Sequence, residues 1–324
     1  MKEKMDMLNG SIWNKLPRYA LPVAATGILG QLFNASDLAI VGNFTGADST
    51  VAVAAVGANS PVIGLILNFF IGIALGANIV IAHAVGRGDE KTIRKAVNTS
   101  VLMALAGGIA IAVAGEFCIE ALLRLLNIPE DVFPYALLYI KIYLLGMPAI
   151  LLYNFEAAIF RSIGDTKTPL LVLAVSGILN VALNLFFVIV LDMTVDGVAI
   201  ATVISNIVSA AILFVLLLKT DKSIHIDIKE IRFDKECFVK IIKIGLPAGL
   251  QSAVFAFANI VIQAAINSLG TIVIAASSAA FNIEIFAYYV LNSFSQACTT
   301  FVGQNYGAGQ IKRCKKILLL CILE

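Results

Sequence analysis

Long apolar runs separated by short polar loops are the feature that most constrains this chain. Hydropathy divides the 324 residues into eight runs of membrane length and the beginning of a ninth near Ile317. A helix needs about 20 residues to cross the roughly 30 Å of bilayer hydrocarbon, and every complete run meets that length. The predicted spans are 16–44, 53–85, 96–119, 135–160, 170–191, 197–218, 244–268 and 272–302. We therefore expect an all-α polytopic membrane protein.

Positive charge is distributed unevenly among the loops. If the N-terminus is cytoplasmic, all but two of the 23 Lys and Arg residues lie on the cytoplasmic side, and the exceptions are Arg124 and Lys141. Short cytoplasmic loops retain Lys and Arg, so this distribution predicts orientation as well as class. The first run is too long for a signal-peptide core, and we expect it to be retained. We predict a multi-pass protein of the plasma (bacterial inner) membrane with a cytoplasmic N-terminus.

Composition argues against several other classes of protein. With 60% apolar and 14% charged residues, a soluble domain would expose too much apolar surface. The net charge of +2 gives no reason to expect a nucleic-acid partner. The sequence has no Ser/His/Asp set, HExxH motif or convergent His and Cys ligands, so we expect neither an enzyme nor a cofactor. It also lacks the filter repeat of a channel. We expect a monomer whose partners are small molecules and the lipid bilayer.

A polar segment, Lys219–Lys243, divides the spans into two groups. The second group begins like the first, because Leu246-Pro247 in the seventh span matches Leu21-Pro22 in the first. Six spans return the chain to the same side of the membrane, so the repeat is parallel, as in many two-lobed secondary transporters. We predict an N-terminal six-helix lobe (1–218), a cytoplasmic linker (219–243) and the start of a C-terminal lobe (244–324).

The ninth run stops at Glu324, about eight residues after it begins. A helix that ended there in hydrocarbon would leave its last carbonyl groups unsatisfied. We therefore expect the chain to be C-terminally truncated, with about eight and a half spans present.

Asp37 is the sharpest candidate for a functional residue. It is the only acidic residue in the middle of the first span, and an ionised carboxylate there costs about 2.5–3.5 kcal/mol on insertion scales. Burial favours the neutral acid, whereas a bound cation favours the carboxylate, and this competition is what a proton or sodium site requires. The alternative is a structural carboxylate bonded to neighbouring helices. Pro22 on the same span is a candidate hinge, because it removes a backbone hydrogen bond.

Neutral polar side chains on other spans are candidates to surround Asp37. They are Asn180, Asn184, Thr202, Tyr139 and Asn154. Uncharged oxygen atoms suit a small hard cation or a hydrogen-bonded proton relay, so Na+ is a candidate ligand of Asp37, Asn180, Asn184 and Thr202. Interhelical hydrogen bonding, worth about 0.6 kcal/mol per bond on average, is the alternative role for these residues.

The second group of spans offers candidates for substrate binding. Glu284 lies in the eighth span near Tyr288, and Gln251 lies in the seventh. A buried glutamate beside aromatic rings would hold a lipophilic cation by charge and cation–π attraction. A structural ion pair or a position at the lipid interface is the alternative for Glu284. In the second span, Gly72 and Gly76 form a GxxxG pair that predicts close helix packing.

Four stretches resemble the multidrug and toxic compound extrusion (MATE) transporters. They are Asp37–Gly42 (DLAIVG), Arg161–Pro169 (RSIGDTKTP), Gly197–Ser205 (GVAIATVIS) and Val302–Ala308 (VGQNYGA). The resemblance runs through the whole chain in the right order. It implies a two-lobed transporter fold of six-helix bundles with twelve spans. It also implies export of small amphipathic, often cationic drugs by antiport with Na+ or H+.

The resemblance assigns the cation site to Asp37, Asn180, Asn184 and Thr202. Many relatives have Asp at the position of Asn184, so this site has one carboxylate fewer, which leaves the coupling ion open. A second branch of the family uses a buried glutamate in the seventh span, and Ser252–Phe257 contains none. A flippase for a lipid-linked substrate of the same superfamily is the alternative function. Such a cavity needs several cationic residues to hold phosphate, and Lys141 is the single candidate.

Overall fold

The computed structural model describes residues 5–126, 128–267 and 271–324, without the side chains of 47, 260, 263, 264, 267, 271, 272, 274, 275, 278, 279 and 282. All the regular structure in these ranges is helical, which confirms the all-α class. The helices are α1 Lys15–Phe44, α2 Ser49–Arg87, α3 Glu90–Leu125, α4 Phe133–Leu145, α5 Met147–Ser162, α6 Lys167–Leu185, α7 Val195–Lys219, α8 Lys235–Asn267, α9 Thr271–Gly307 and α10 Ile311–Leu323. Short 3-10 turns at Gly46–Asp48 and Ile228–Glu230 and a π turn at Phe186–Val190 complete the description.

The helices follow the predicted spans closely. Within the described residues, six helices are long and apolar enough to cross a membrane, and the bent pair α4 and α5 would be a seventh. Helix α9 covers the predicted eighth span, and α10 covers the beginning of the ninth. The predicted end of the seventh span, at 268, lies outside the described residues. We call the end of the bundle that carries residues 220–234 the linker end, and the opposite end the far end.

The fourth predicted span, 135–160, is not one straight helix. Helices α4 and α5 meet at Gly146 with a bend of 51°. Pro148 lies in the first turn of α5, where its missing N–H group costs nothing, but its ring cannot continue α4. Gly108 on α3 makes room for the bend, because a Cβ atom there would lie 2.4 Å from the Cα atom of Pro148. Hydropathy does not detect such a break.

Helix α8 begins at Lys235, inside the predicted linker 219–243. Its first turns are amphipathic, with Cys237 and Ile241 buried one turn apart and lysines on the other faces. The mean hydropathy of these turns is therefore low, although they are helical. The segment between α7 and α8 is residues 220–234, which is shorter than predicted.

Residues 220–234 pack against helices of the first six predicted spans. Ile224 and Ile226 are buried in the apolar core of the linker end. Lys222 forms an ion pair of 2.8 Å with Asp165, in the loop after α5. Asn98 on α3 donates a hydrogen bond to the carbonyl oxygen of Glu230 at 3.1 Å. The segment is thus held to the bundle by both apolar and polar contacts.

Helices α2 and α8 approach each other along a seam of glycines. A Cβ atom on Gly72 would lie 2.3 Å from the Cα atom of Gly249, and one on Gly76 would lie 2.7 Å from the nitrogen of Gly245. Both helices therefore carry a GxxxG pair, and the two pairs face each other, which allows the backbones into contact. The close packing predicted for Gly72 and Gly76 is confirmed, and the partner is α8.

Candidate functional site

The carboxylate of Asp37 lies where α1, α6 and α7 meet. Its side chain is buried, with 6% of the residue exposed. Asn184 on α6 donates a hydrogen bond from Nδ2 to Oδ1 of Asp37 at 2.5 Å. The hydroxyl of Thr202 on α7 lies 3.4 Å from Oδ2, with the Val198 carbonyl oxygen at 2.9 Å as its second acceptor. Three of the four predicted cation-site residues are therefore in direct contact.

Asn180 completes the set through contacts with Thr202 and Asn184. Its Nδ2 lies 3.4 Å from the Thr202 hydroxyl, and its Oδ1 accepts a hydrogen bond from Asn184 at 3.3 Å. The two asparagines are one helical turn apart, so they line the same face of α6. Oδ1 of Asn184 is buried and has no hydrogen-bond partner among the described residues. An unused buried oxygen therefore lies on the side chain that contacts Asp37.

A glycine allows α6 to come this close to α1. A Cβ atom on Gly177 would lie 1.9 Å from the ring of Phe33, so the ring occupies the place of a side chain. Phe33 precedes Asp37 by one turn of α1, and Gly177 precedes Asn180 and Asn184 on one face of α6. The local sequence of each helix thus brings the amides to the carboxylate.

Tyrosines of α4 form the next wall of the site. Tyr139 is buried and stacks on Tyr143, with ring centroids 6.1 Å apart and an angle of 25° between the rings. Both tyrosines belong to one apolar cluster with Ile40 on α1 and Val198 on α7. Tyr139 was predicted from the sequence and Tyr143 was missed, although it follows Tyr139 by one helical turn.

Two other predicted residues lie apart from this set. Asn154 donates a hydrogen bond to the Ile150 carbonyl on its own helix at 2.8 Å, not to Asp37. Pro22 lies on α1 with Asp37 but fifteen residues away, which is about 22 Å along a helix. Its carbonyl oxygen accepts a hydrogen bond from the Thr26 hydroxyl at 2.8 Å. A hinge at Pro22 would therefore act on the site through the length of α1, not by direct contact.

The predicted substrate residues lie along neighbouring faces of α8 and α9. Tyr288 stacks on Phe255 with centroids 6.0 Å apart and rings nearly parallel at 6°. Asn292 donates a hydrogen bond to the Tyr288 hydroxyl at 3.1 Å. Tyr288 is 40% exposed, so one face of this aromatic pair is open. Sequence reasoning missed Phe255.

The expectation of a buried Glu284 is wrong. Both Glu284 and Gln251 are exposed. The face of α9 that packs against α1 carries Tyr289 instead, whose ring fills the space next to Gly27. Glu284 precedes Tyr288 by one turn and Gln251 precedes Phe255 by one turn, so both continue the open aromatic face.

One buried acid was missed. Glu156 on α5 is 0% exposed, and neither carboxylate oxygen has a hydrogen-bond partner among the described residues. The signal was available, because Glu156 is the single acid in the apolar stretch from Ile142 to Phe160. Within the described part of the chain, no group of three or more His, Cys, Asp or Glu side chains is arranged to hold a metal ion.

The family model of MatE matches residues 22–186 and 247–323. The chain is similar to the probable multidrug resistance protein YoeA of Bacillus subtilis (strain 168), with 29% identity over 95% of the chain and 67% of the relative. It is also similar to the FAD transporter of Shewanella oneidensis, with 26% identity over 99% of the chain and 71% of the relative. The probable multidrug resistance protein NorM of Thermotoga maritima is 26% identical over 92% of the chain and 64% of the relative.

Solved structures share the fold. A crystal structure of a MATE protein in the bent conformation superposes with a TM-score of 0.89 and 24% identity, over 98% of this chain and 70% of that chain. A MOP superfamily transporter from Pyrococcus furiosus gives a TM-score of 0.89 and 24% identity, over 99% and 71% of the two chains. The predicted two-lobed transporter fold is therefore confirmed. The chain spans about two thirds of the length of its curated relatives.

Proposed function

The chain belongs to the MatE family, which consists of multi-pass membrane transporters and not enzymes, and from this we propose that it exports drugs by cation antiport. The proposed substrates are small amphipathic, often cationic compounds, and the coupling ion is Na+ or H+. Relatives described as multidrug resistance or multidrug export proteins support the substrate class.

The observation that carries the proposal is the environment of Asp37. Its carboxylate is buried and contacts amide and hydroxyl groups from two other helices. Among the described residues Asp37 has no ion pair, and Lys141 on α4 is paired with Glu116 at 3.5 Å. A buried carboxylate that has polar neighbours but no cationic partner needs a mobile cation or a proton for charge balance. Such a group can couple ion binding to conformation.

Between the two ions, the arrangement favours Na+. The amide of an asparagine keeps almost the same shape when Oδ1 and Nδ2 exchange places, so the amide of Asn184 can be turned by half a rotation. That rotation would direct its unpartnered Oδ1 towards Asp37 and Asn180. Asp37, Asn180, Asn184 and Thr202 would then offer oxygen atoms to one small hard cation. A proton would need the carboxylate alone.

The open face of Tyr288 and Phe255 suits the proposed substrates. Flat aromatic rings attract lipophilic cations, and Glu284 adds a negative charge one turn away. We also propose the organisation expected from the sequence: two lobes joined by the linker, a cytoplasmic N-terminus, the bacterial inner membrane and a monomer. The two ranges matched by the family model begin at Pro22 and Pro247, the prolines that open the proposed repeat.

The flippase alternative is less well supported. A phosphate group needs cationic side chains in the cavity, and the ion pair with Glu116 already engages Lys141. The aromatic face on α8 and α9 carries an acid instead of a base.

The substitution Asp37→Asn tests the proposal. It keeps the shape and removes the charge, so export of a fluorescent lipophilic cation from cells should fall to the level of cells without the transporter. Asp192→Asn is the matched control, because Asp192 is exposed and has a positive φ of 54°, which asparagine tolerates. The control should export normally, and both variants should reach the membrane in normal amounts. Wild-type export by Asp37→Asn would overturn the coupling role.

A further inference from the structure

Glu156 is a buried acid that the proposed cation site does not use. It is 0% exposed, and neither of its oxygens is hydrogen-bonded within the described residues. Asp37, in contrast, is contacted by Asn184 and Thr202. The two carboxylates are therefore in different environments within the bundle of helices α1–α7. The environment of each acid decides whether its protonated form or its ionised form is more stable.

Several helices that pack against α5 or bond to it carry ionisable side chains. Helix α5 packs against α2, α3, α4, α6 and α7. The ionisable side chains of these helices, of α5 itself and of α1 and α9, which bond to its last turns, are Lys15, Arg18, Tyr19 and Asp37 (α1), His83 and Arg87 (α2), Glu90, Lys91, Arg94, Lys95, Glu116, Cys118, Glu120 and Arg124 (α3), Tyr135, Tyr139, Lys141 and Tyr143 (α4), Tyr153 and Arg161 (α5), Lys167 (α6), Asp196 and Lys219 (α7), and Glu284, Tyr288, Tyr289, Cys298 and Tyr306 (α9). Of these, Tyr153 is one turn before Glu156 on α5, and its hydroxyl donates to the Pro169 carbonyl oxygen at 3.3 Å and not to Glu156.

A charge on Glu156 would be poorly compensated in this environment. Burying an ion without a partner costs several kcal/mol, whereas the neutral acid avoids most of that cost. A metal cation would need further oxygen ligands, which Asp37 has in Asn180, Asn184 and Thr202. Neither carboxylate oxygen of Glu156 has a hydrogen-bond partner among the described residues. The surroundings therefore favour a carboxylic acid that carries its proton.

Glu156 also lies close to contacts that join the linker ends of several helices. It is six residues from the end of α5, which is about 9 Å along the helix. Arg161 donates to Gln296 on α9 at 3.3 Å, and its carbonyl oxygen accepts from the Tyr19 hydroxyl at 3.2 Å. Gln304 on α9 donates to the Ser162 carbonyl at 2.7 Å. Separation of α9 from α5 would break these bonds and admit water towards Glu156.

We propose that Glu156 is a second proton-binding site of the first lobe, which keeps its proton while α5 and α9 are in contact at the linker end and releases it when they separate. On release, the O–H bond of the acid breaks, the proton passes to water as hydronium, and the electron pair stays on the carboxylate, which water then hydrates. The proposal rests on the proposed function only in requiring that a transport cycle separates these helix ends.

Infrared spectroscopy of the purified, reconstituted protein tests the protonation state directly. A protonated carboxylic acid has a carbonyl stretch that an ionised carboxylate lacks. We expect this band at neutral pH in the unsubstituted protein and in Asp37→Asn, where Asp37 cannot contribute to it, and we expect its loss when Glu156→Gln is added to Asp37→Asn. Glu236→Gln is the matched control, because Glu236 is exposed and paired with Lys240 at 2.6 Å, and it should leave the band unchanged.

A second pair of variants tests the link to the helix contacts. Gln304→Ala removes the bond to Ser162. Gly86→Leu forces α9 from α2, because a Cβ atom on Gly86 would lie 1.9 Å from the Gln304 carbonyl oxygen. The band should weaken or disappear at neutral pH in both variants. If Gly86→Leu does not fold, Gln304→Ala carries this test.

Three results would overturn the proposal: no such band in Asp37→Asn, a band in Asp37→Asn that survives when Glu156→Gln is added, or a band unchanged by opening the contacts. The spectra need no transport, so they separate this proposal from the proposed function. Normal export by Asp37→Asn would overturn the coupling role of Asp37 and leave the prediction for Glu156 standing.

Discussion

At the scale of single residues, Asn184 decides the charge of the proposed cation site. It contacts Asp37 directly and is itself buried, so an acid at this position would put two carboxylates side by side. Two adjacent carboxylates repel each other, and a bound cation relieves that repulsion. The present site, with one carboxylate and three neutral partners, should bind Na+ more weakly than such a pair.

The substitution Asn184→Asp should therefore strengthen the dependence of export on sodium. We expect the sodium concentration for half-maximal export to fall by about tenfold, which corresponds to about 1.4 kcal/mol. Asn43→Asp is the control, because Asn43 is exposed at the far end of α1 and bonds to its own helix. The measurement is export at fixed pH over a sodium series. Export by the unsubstituted protein that is unchanged without sodium, but collapses with an uncoupler, would favour the proton instead.

At the scale of elements, Gly177 sets the distance between α1 and α6. Gly177→Ala places a methyl group 1.9 Å from the Phe33 ring, so either the ring or the helix must move. We expect a loss of about 1–3 kcal/mol in stability, as for overpacked cores, and weaker sodium dependence. The double variant with Phe33→Leu should recover much of both. Gly30→Ala on α1 is the control, since its methyl group would have open space. Thermal unfolding in detergent measures the first effect.

The start of α8 depends on Asp234. Its carboxylate caps the helix by accepting from the Cys237 backbone N–H at 2.9 Å, and it pairs with Lys95 at 2.7 Å. The hydrogen bond from Lys95 and that from the Cys237 backbone hold the pKa of Asp234 at about 2. Free aspartate has a pKa near 3.9. The ionised form therefore stabilises the folded segment above about pH 4, and this contribution disappears as the pH falls towards 2.

Variants of Asp234 should separate the cap from the ion pair. Asp234→Ala loses both and should cost about 1 kcal/mol from the cap alone, whereas Asp234→Asn keeps a good capping residue and loses the pair. Hydrogen exchange of the first turn of α8 measures the difference. In the unsubstituted protein, the protection of these amides should not change between pH 8 and 5 once the pH dependence of the intrinsic exchange rate is corrected for. Asp227→Ala is the control, because Asp227 caps the short 3-10 turn Ile228–Glu230 and not α8. Equal exchange in all three variants would contradict the role of Asp234.

At the scale of the whole molecule, the two ends of the bundle should face different compartments. The linker end carries most of the basic residues, and residues 220–234 pack there. In a background without the five native cysteines, Lys229→Cys should react with a membrane-impermeant thiol reagent only after cells are permeabilised. Glu130→Cys should react in intact cells. Both native side chains are exposed, so accessibility does not bias the comparison. Labelling of Lys229→Cys in intact cells would reverse the orientation.

The sequence by itself determined most of the fold and the centre of the candidate site. Apolar runs long enough to cross a bilayer have few alternatives to helices, so hydropathy was sufficient for the spans. Asp37, Asn180, Asn184 and Thr202 were recognisable because polar side chains in apolar helices are costly and share faces at a spacing of three or four residues. These signals are local, because they depend on the sequence of one helix and not on the helices that pack around it.

The tertiary structure decided what the sequence pattern left open. Glu284 and Glu156 are both single acids in apolar stretches, yet Glu284 is exposed and Glu156 is fully buried without a hydrogen-bond partner in the part of the chain that the structure describes. The bend at Gly146 and the start of α8 at Lys235 likewise depend on contacts with other helices. Burial and partnership are properties of pairs of helices, and the period of one helix does not specify which neighbour covers which face. Only the packed bundle therefore distinguishes a buried acid with polar neighbours, such as Asp37, from a buried acid such as Glu156 and an exposed acid such as Glu284.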